Sequence, residues 1–426
     1  MSSPTVIAEC DTSEGVLRTY LTLTLLSTLA TSFIWGVNTL FLLDAGLSNA
    51  QAFTVNAFFT AGQVLFEIPT GVVADTRGRR TSYLWGAATL LVATVLYVVM
   101  WGIEAPLWGW ALSSIVIGLG FTFFSGAVEA WLVDALDATG YDGALETVFG
   151  RGQTVMGVAM LTGSVAGGVA AQFTNLGVPY VLRALMLILV LIYAARRMHD
   201  LGFEPQHGKG PIDEVKQVWR GSIDAGFGNP AVRWLMLAAP FTGGAGVYAF
   251  YAMQPHLLEL YGDETAYGVA GLAAAVVAGA QIVGGLVVPH IRALFAKRTT
   301  VFLVGGVISS AALLLIGLSN TFWLAVALLV IWALMFSAMR PIRQAFINGC
   351  IPSKQRATVL SVDALMGSAG GVVSQPALGR AADVWSYGAS YVITAVVTAL
   401  ALPFFALARL VRSPGDVIRA EDPVSA

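Results

Sequence analysis

Apolar residues run along this chain in long stretches broken by short polar segments. The runs at 17–43, 82–102, 180–193 and 300–318 are each at or near the length a helix needs to cross a bilayer. About 20 residues at 1.5 Å each span the ~30 Å of hydrocarbon. Reading the breaks divides the sequence into twelve expected spans, at 18–43, 51–74, 81–103, 107–134, 147–173, 179–198, 231–258, 268–291, 300–318, 321–349, 357–381 and 388–411. The pattern predicts an all-α membrane protein, because a helix satisfies its own backbone where no water can. No signal peptide is expected, since 1–15 carries Glu9, Asp11 and Glu14 and has no apolar run with a cleavage site.

One polar stretch is longer than the others. Residues 199–229 contain Pro205, Gly208, Gly210 and Pro211 ahead of a segment, 212–225, with the pattern of an amphipathic helix. It reads as a linker and divides the chain into an N-terminal six-helix bundle at 1–198 and a C-terminal one at 230–426. Sliding the halves by about 210 positions sets Met156-Gly157 on Met366-Gly367 and Ser164 on Ser374, as an internal repeat requires. Repeated halves of this size place a substrate site near the membrane midplane and work by rocking, which favours a carrier over a channel. No filter-like loop of the TVGYG type is present in the sequence.

Composition agrees: 57% hydrophobic and 11% charged residues and a mean hydropathy of +0.75 exclude a water-soluble globular chain. Basic residues gather on one side of the expected spans, at Arg77, Arg79 and Arg80, at Arg196 and Arg197, at Lys297 and Arg298, and at Arg409 and Arg412. The opposite loops, 44–50, 103–106, 261–267 and 383–387, hold acids but no Lys or Arg. By the positive-inside rule the basic side is cytoplasmic, with both termini there, in an expected plasma (inner) membrane. No basic domain suits a nucleic acid. Cys10 and Cys350 fall on the reducing side, and the four histidines show no ligand spacing, so neither a disulfide, a metal nor any cofactor beyond a proton gradient is expected. The expected partners are the lipid bilayer, protons and a small-molecule substrate, and the expected state is a monomer.

After the second span the chain reads Gly71-Val72-Val73-Ala74-Asp75-Thr76-Arg77-Gly78-Arg79-Arg80. This resembles the GxxxDxxGRR signature of the major facilitator superfamily, at the loop where that family carries it. Gly71 is expected to end its helix and let a neighbour approach, and Gly78 to make the turn. The resemblance implies two six-helix bundles, with Asp75 accepting from the N-terminus of span eleven near Ala357 and Thr358, and one of Arg77, Arg79 or Arg80 reaching Asp134. Together these would latch an inner gate. The second half has Pro289 in place of the acid. Span five, with Gly150, Ala159 and the run Gly163 to Gly168, resembles the glycine-rich pattern of the proton-driven export branch. It departs from that pattern at Ala159 and Ser164, and no arginine stands in mid-span four, near Ser114.

Charges at membrane depth are costly, at least about 2.5 kcal/mol each, so Glu67, Glu129, Arg151, Arg340, Arg343 and Asp363 are functional candidates. Glu129, with Arg151 as an expected partner, is the leading carrier of a coupling proton. Glu67 and Asp363 would either share a proton, or act apart with Asp363 on Arg343. Arg340 and Arg343 also suit an anionic substrate. Arg183 and Arg380 are expected to snorkel.

In the family spans one, four, seven and ten line the cavity. Here they offer Phe33, Trp35, Asn38 and Phe41, then Phe121 and Phe124, then Tyr248, Tyr251 and Gln254, then Trp332 and Phe336. Aromatic rings with few polar handles suit an apolar or amphipathic ligand. The expected function is proton-coupled efflux of such a compound, with proton-coupled metabolite uptake as the alternative and a non-transporting receptor or assembly factor behind it. No nucleophile-and-base constellation points to an enzyme.

Overall fold

The computed structural model describes residues 12–205 and 226–418. The expected amphipathic helix at 212–225 therefore lies outside the described residues, as do Cys10, His207 and Lys209. The first half is built from α1 (Ser13–Trp35), α2 (Asn38–Asp44), α3 (Asn49–Arg77), α4 (Arg79–Gly102), α5 (Leu107–Phe124), α6 (Ala127–Ala138), α7 (Leu145–Phe173) and α8 (Val178–Arg197). The second contains α9 (Pro230–Tyr261), α10 (Tyr267–Leu286), α11 (Val288–Leu294), α12 (Arg298–Leu318), α13 (Phe322–Cys350), α14 (Ser353–Val384), α15 (Tyr387–Ala399) and α16 (Ala401–Leu410).

Ten helices among the described residues are long and apolar enough to cross a membrane, or eleven with α1 and α2 as one span bent by 47°. The one expected span left over, the eleventh at 357–381, is the helix α14, whose Asp363, Gln375, Arg380 and Asp383 dilute its apolar run below that standard. The architecture is an all-α membrane fold.

Local chemistry sets the helix starts. Thr12 accepts from Gly15 N at 3.1 Å, Ser48 and Gln51 form a reciprocal capping box, and Asn229 accepts from Ala231 N at 3.1 Å ahead of Pro230. Two apolar runs that read as single spans are interrupted. The first breaks between Trp35 and Asn38, the second between Phe124 and Ala127, where Gly126 takes φ +67°. An L-residue pays to adopt that left-handed conformation, and glycine does not.

Compact units are formed by 1–214 with 263–275, and by 215–262 with 276–426. In the first, α1 packs along α7 and α3 along α5; in the second, α9 packs along α14 and α12 along α15. Glycine makes the closest approach possible: a methyl added at Gly370 of α14 would collide with the backbone of Pro240 in α9. The first core gathers Tyr20, Tyr83, Trp131 and Leu132; the second gathers Met236, Phe302, Phe346 and Phe405.

Each half ends on the same device. After α8 the chain turns back so that Asp200 Oδ1 accepts from Arg80 N at 2.8 Å, while Arg80 Nη2 donates to Ala195 O at 2.8 Å. After α16, Asp416 Oδ1 accepts from Thr299 N at 2.8 Å and its Oδ2 from the Thr299 hydroxyl at 2.9 Å, while Arg298 Nη1 donates to Gly415 O at 2.8 Å. In both cases a carboxylate from the tail of the half caps the second residue of the helix that starts its third span. Residue 78 is a glycine and Lys297 makes no side-chain cap, so neither helix caps itself. Burial pushes the Asp200 carboxyl above its ordinary range, partly offset by Arg80 and Arg79.

Gly71 differs from expectation. It lies inside α3, which runs on to Arg77, and nothing described stands within 4 Å of where its Cβ would be. The helix ends at Gly78, φ +105°, because the turn needs that conformation and position 71 does not.

Candidate functional site

In the first unit two carboxylates at span depth, Glu67 and Glu129, sit at the α5–α6 break. The Ser125 hydroxyl donates to Glu67 Oε1 at 2.8 Å, which ties α3 to the break. Glu129 sits in the first turn of α6, where N–H groups lack intrahelical acceptors and the helix dipole favours a carboxylate. Glu67, Ser125, Glu129 and Arg151 are all exposed. The expected Glu129–Arg151 ion pair does not form among the described residues; each side chain stays open instead. Ser82 donates to Phe123 O at 3.0 Å, which satisfies one of the carbonyls the break frees.

At the basic end of the same unit, Arg79 is the arginine that reaches Asp134, with Nε 3.7 Å from Oδ2, and it also pairs with Asp75 one turn away. Asp75, Arg79 and Asp134 line a polar cavity of about 240 Å³ closed by Gly202, Phe203 and Glu204 from the segment after α8. The side chains of Ala357 and Thr358, where Asp75 was expected to dock, lie outside the described ones.

The second unit treats its charges differently. Arg343 grips Asp363 with both prongs, Nε to Oδ2 at 2.7 Å and Nη2 to Oδ1 at 2.5 Å, and Nη2 also donates to Leu235 O at 2.6 Å. Both side chains are mostly buried, 17% and 11% exposed. Arg340 is exposed, with its guanidinium 5.8 Å from the Phe336 ring.

Of the aromatic and amide candidates, Trp35, Tyr251 and Asn38 are half-buried, but Asn38 spends its amide on Asn56, at 3.1 Å, and accepts from Tyr180 at 2.9 Å. Gln254 and Trp332 are buried, at 1% and 2% exposure, with Trp332 stacked on Phe336. Phe41 and Tyr248 are core residues: Phe41 packs among Tyr97, Trp110 and Tyr180, and the Tyr248 hydroxyl bonds Ser390 at 2.6 Å.

Arg183 does not snorkel. It is 2% exposed, donates to the Thr94 hydroxyl at 3.0 Å and lies over the Phe121 ring at 5.7 Å. Ser125 and Gly126 were missed as site residues. A Ser-Gly pair inside an apolar run is a turn signal, and it was the available clue.

The Major Facilitator Superfamily model matches residues 20–299 and 265–423, and the chain belongs to that family of membrane transporters. Its fold is similar to the nucleoside transporter NupG, with TM-score 0.74, 11% identity, and 92% of this chain and 98% of that one covered. It is similar to the peptide transporter POT in complex with sulfate, with TM-score 0.71, 13% identity, and 93% and 94% covered. It is also similar to a bacterial homologue of the human lysosomal transporter Spinster, inward-facing and unoccupied, with TM-score 0.67, 18% identity, and 93% and 97% covered. No curated protein matches the sequence.

Proposed function

We propose that this transporter moves an apolar or amphipathic small molecule out of the cell in exchange for protons, with Glu129 and Glu67 as the proton-carrying carboxylates. One observation carries the reading. At span depth the first unit leaves two carboxylates exposed beside a helix break, whereas the carboxylate of the second unit, Asp363, is closed off by Arg343. An acid that gains and loses a proton in each cycle must reach water, and a tightly paired acid holds its charge instead. Arg151 is an open cation of the same unit and supplies the counter-charge when a carboxylate is ionised. Tyr251 and the face carrying Arg340, both in the second unit, are the substrate contacts in this reading, and Asp75, Arg79, Arg80, Gly78 and Asp134 brace the inner gate.

Glu129→Gln, which mimics the protonated acid, is expected to abolish pH-gradient-driven flux in proteoliposomes while substrate exchange without a gradient continues. Full gradient-driven flux in both Glu129→Gln and Glu67→Gln would remove the proposal. Uptake by symport is the second reading, favoured by Arg151 and Arg340, two exposed cations that suit an anionic metabolite. The sign of substrate flux under an inward proton gradient separates the two.

A further inference from the structure

A cavity of about 640 Å³ lies wholly within the second unit, between α9, α14 and α15. Its cause is in the sequence. Along one face α14 presents Ala369, Gly370, Ala377 and Ala381, too small to fill the space against α15, whose Ile393 and Val397 form the opposite wall; Phe241 of α9 closes the floor.

The lining is apolar with two exceptions. Ser374 contributes a buried hydroxyl with no hydrogen-bond partner among the described residues. Arg380 stands at the α14 C-terminal end, exposed and in no ion pair among them. Beside Arg380 is Trp385, 68% exposed, an amphipathic ring of the kind that settles at headgroup level. The rim is formed by side chains that a water-soluble protein would hide, Val373 at 73% exposure and Val384 at 51%. In a chain that spans a bilayer, an apolar rim of this kind suits acyl chains.

We propose that this crevice is a binding site for one anionic phospholipid, with an acyl chain along α14 and the phosphate on Arg380. The dimensions agree: from Ala369 to Trp385 the helix rises about 24 Å at 1.5 Å per residue, enough to take a chain that occupies one leaflet of a ~30 Å hydrocarbon core. So does the chemistry. A single cation at one end of an otherwise apolar slot matches an amphiphile with one anionic head, and guanidinium binds phosphate through charge-assisted hydrogen bonds. A soluble metabolite would find no polar wall, and a purely apolar compound would leave Arg380 without a partner.

The test is native mass spectrometry of the full chain released from nanodiscs containing equal parts phosphatidylglycerol and phosphatidylcholine. Wild type is expected to retain one phosphatidylglycerol. Arg380→Gln is expected to lower that retention about tenfold, the lower bound for losing a hydrogen bond to a charged group. Ala377→Phe, which fills the slot without touching the arginine, is expected to abolish it at unchanged thermal stability. Equal retention of both lipids by wild type, or undiminished retention by both variants, overturns the proposal. If Ala377→Phe blocks transport of the substrate while lipid retention stays intact, the slot belongs to the transported compound and the proposal fails. Should Ala377→Phe not fold, Val373→Trp narrows the same slot and is read identically.

Discussion

The three carboxylates at span depth, Asp363, Glu67 and Glu129, fare differently, and their neighbours decide how. Asp363 is clamped by Arg343, Glu67 is held by a single hydroxyl, and Glu129 is open at a helix start. Asp363→Asn leaves the Arg343 guanidinium largely buried with its charge uncompensated, and is expected to lower stability by about 3 kcal/mol. The double variant Arg343→Met, Asp363→Leu should recover most of that loss in thermal unfolding, because an apolar pair removes both desolvation costs. Asp200 yields a pH dependence. Its carboxyl is raised by burial, so the folded protein holds this proton to a higher pH than the unfolded chain does. Its contribution is therefore most favourable below the ordinary carboxylate range and declines as pH rises through the raised folded value. Asp200→Asn keeps an acceptor for Arg80 N and should flatten this decline, while Asp200→Ala should cost about 1 kcal/mol at the acid end, as a lost cap does, and less as pH rises. Melting temperatures across pH 4 to 8 check both, and a wild-type decline that survives in Asp200→Asn would assign it to another group. The Arg343–Asp363 pair was legible in the sequence as one of two options, since both are charges at span depth. Arg183 was misread because nearness to a span end does not say which way a side chain points. Asp200 was invisible, because capping from a distant segment leaves no local signature.

Helices were the easiest feature to foresee and their interruptions the hardest. An uninterrupted apolar run satisfies hydropathy whether or not the backbone continues through it, so the breaks at 36–37 and 125–126 left the expected spans unchanged. Only Gly36 and the Ser125-Gly126 pair hinted at them. The long α14 shows the opposite case, in which charge on the helix weakened its apolar signal without shortening it. Gly126→Ala forces an L-residue into a left-handed conformation with open space around it, so strain alone is at stake, about 1 kcal/mol. If the break positions Glu129, that variant should lose gradient-driven flux well beyond what its small drop in melting temperature accounts for. Unaltered flux would make the break a packing detail.

Across the whole molecule, the expected division into two halves drew on one polar stretch and a faint repeat, and the family's fold on a ten-residue motif that the structure divides between α3 and α4. Orientation rests on the basic residues. With Cys10 and Cys350 replaced by Ser, cysteines at Lys209 and Arg412 should resist an impermeant thiol reagent on intact cells, and one at Asn49 should react; labelling of Lys209→Cys from outside would invert the topology. Ser413 is a poor probe, buried against Cys350. The paired tail caps have a consequence for where this polypeptide can be severed. Asp200 and Asp416 each serve the half that contains them, so a chain opened between Pro205 and Gly226 still gives both pieces the carboxylate that closes their third helix. Two such pieces, made together in one cell, should reassemble into an active transporter. Pieces divided ahead of Met198, or ended at Leu410, each lack one carboxylate and should not.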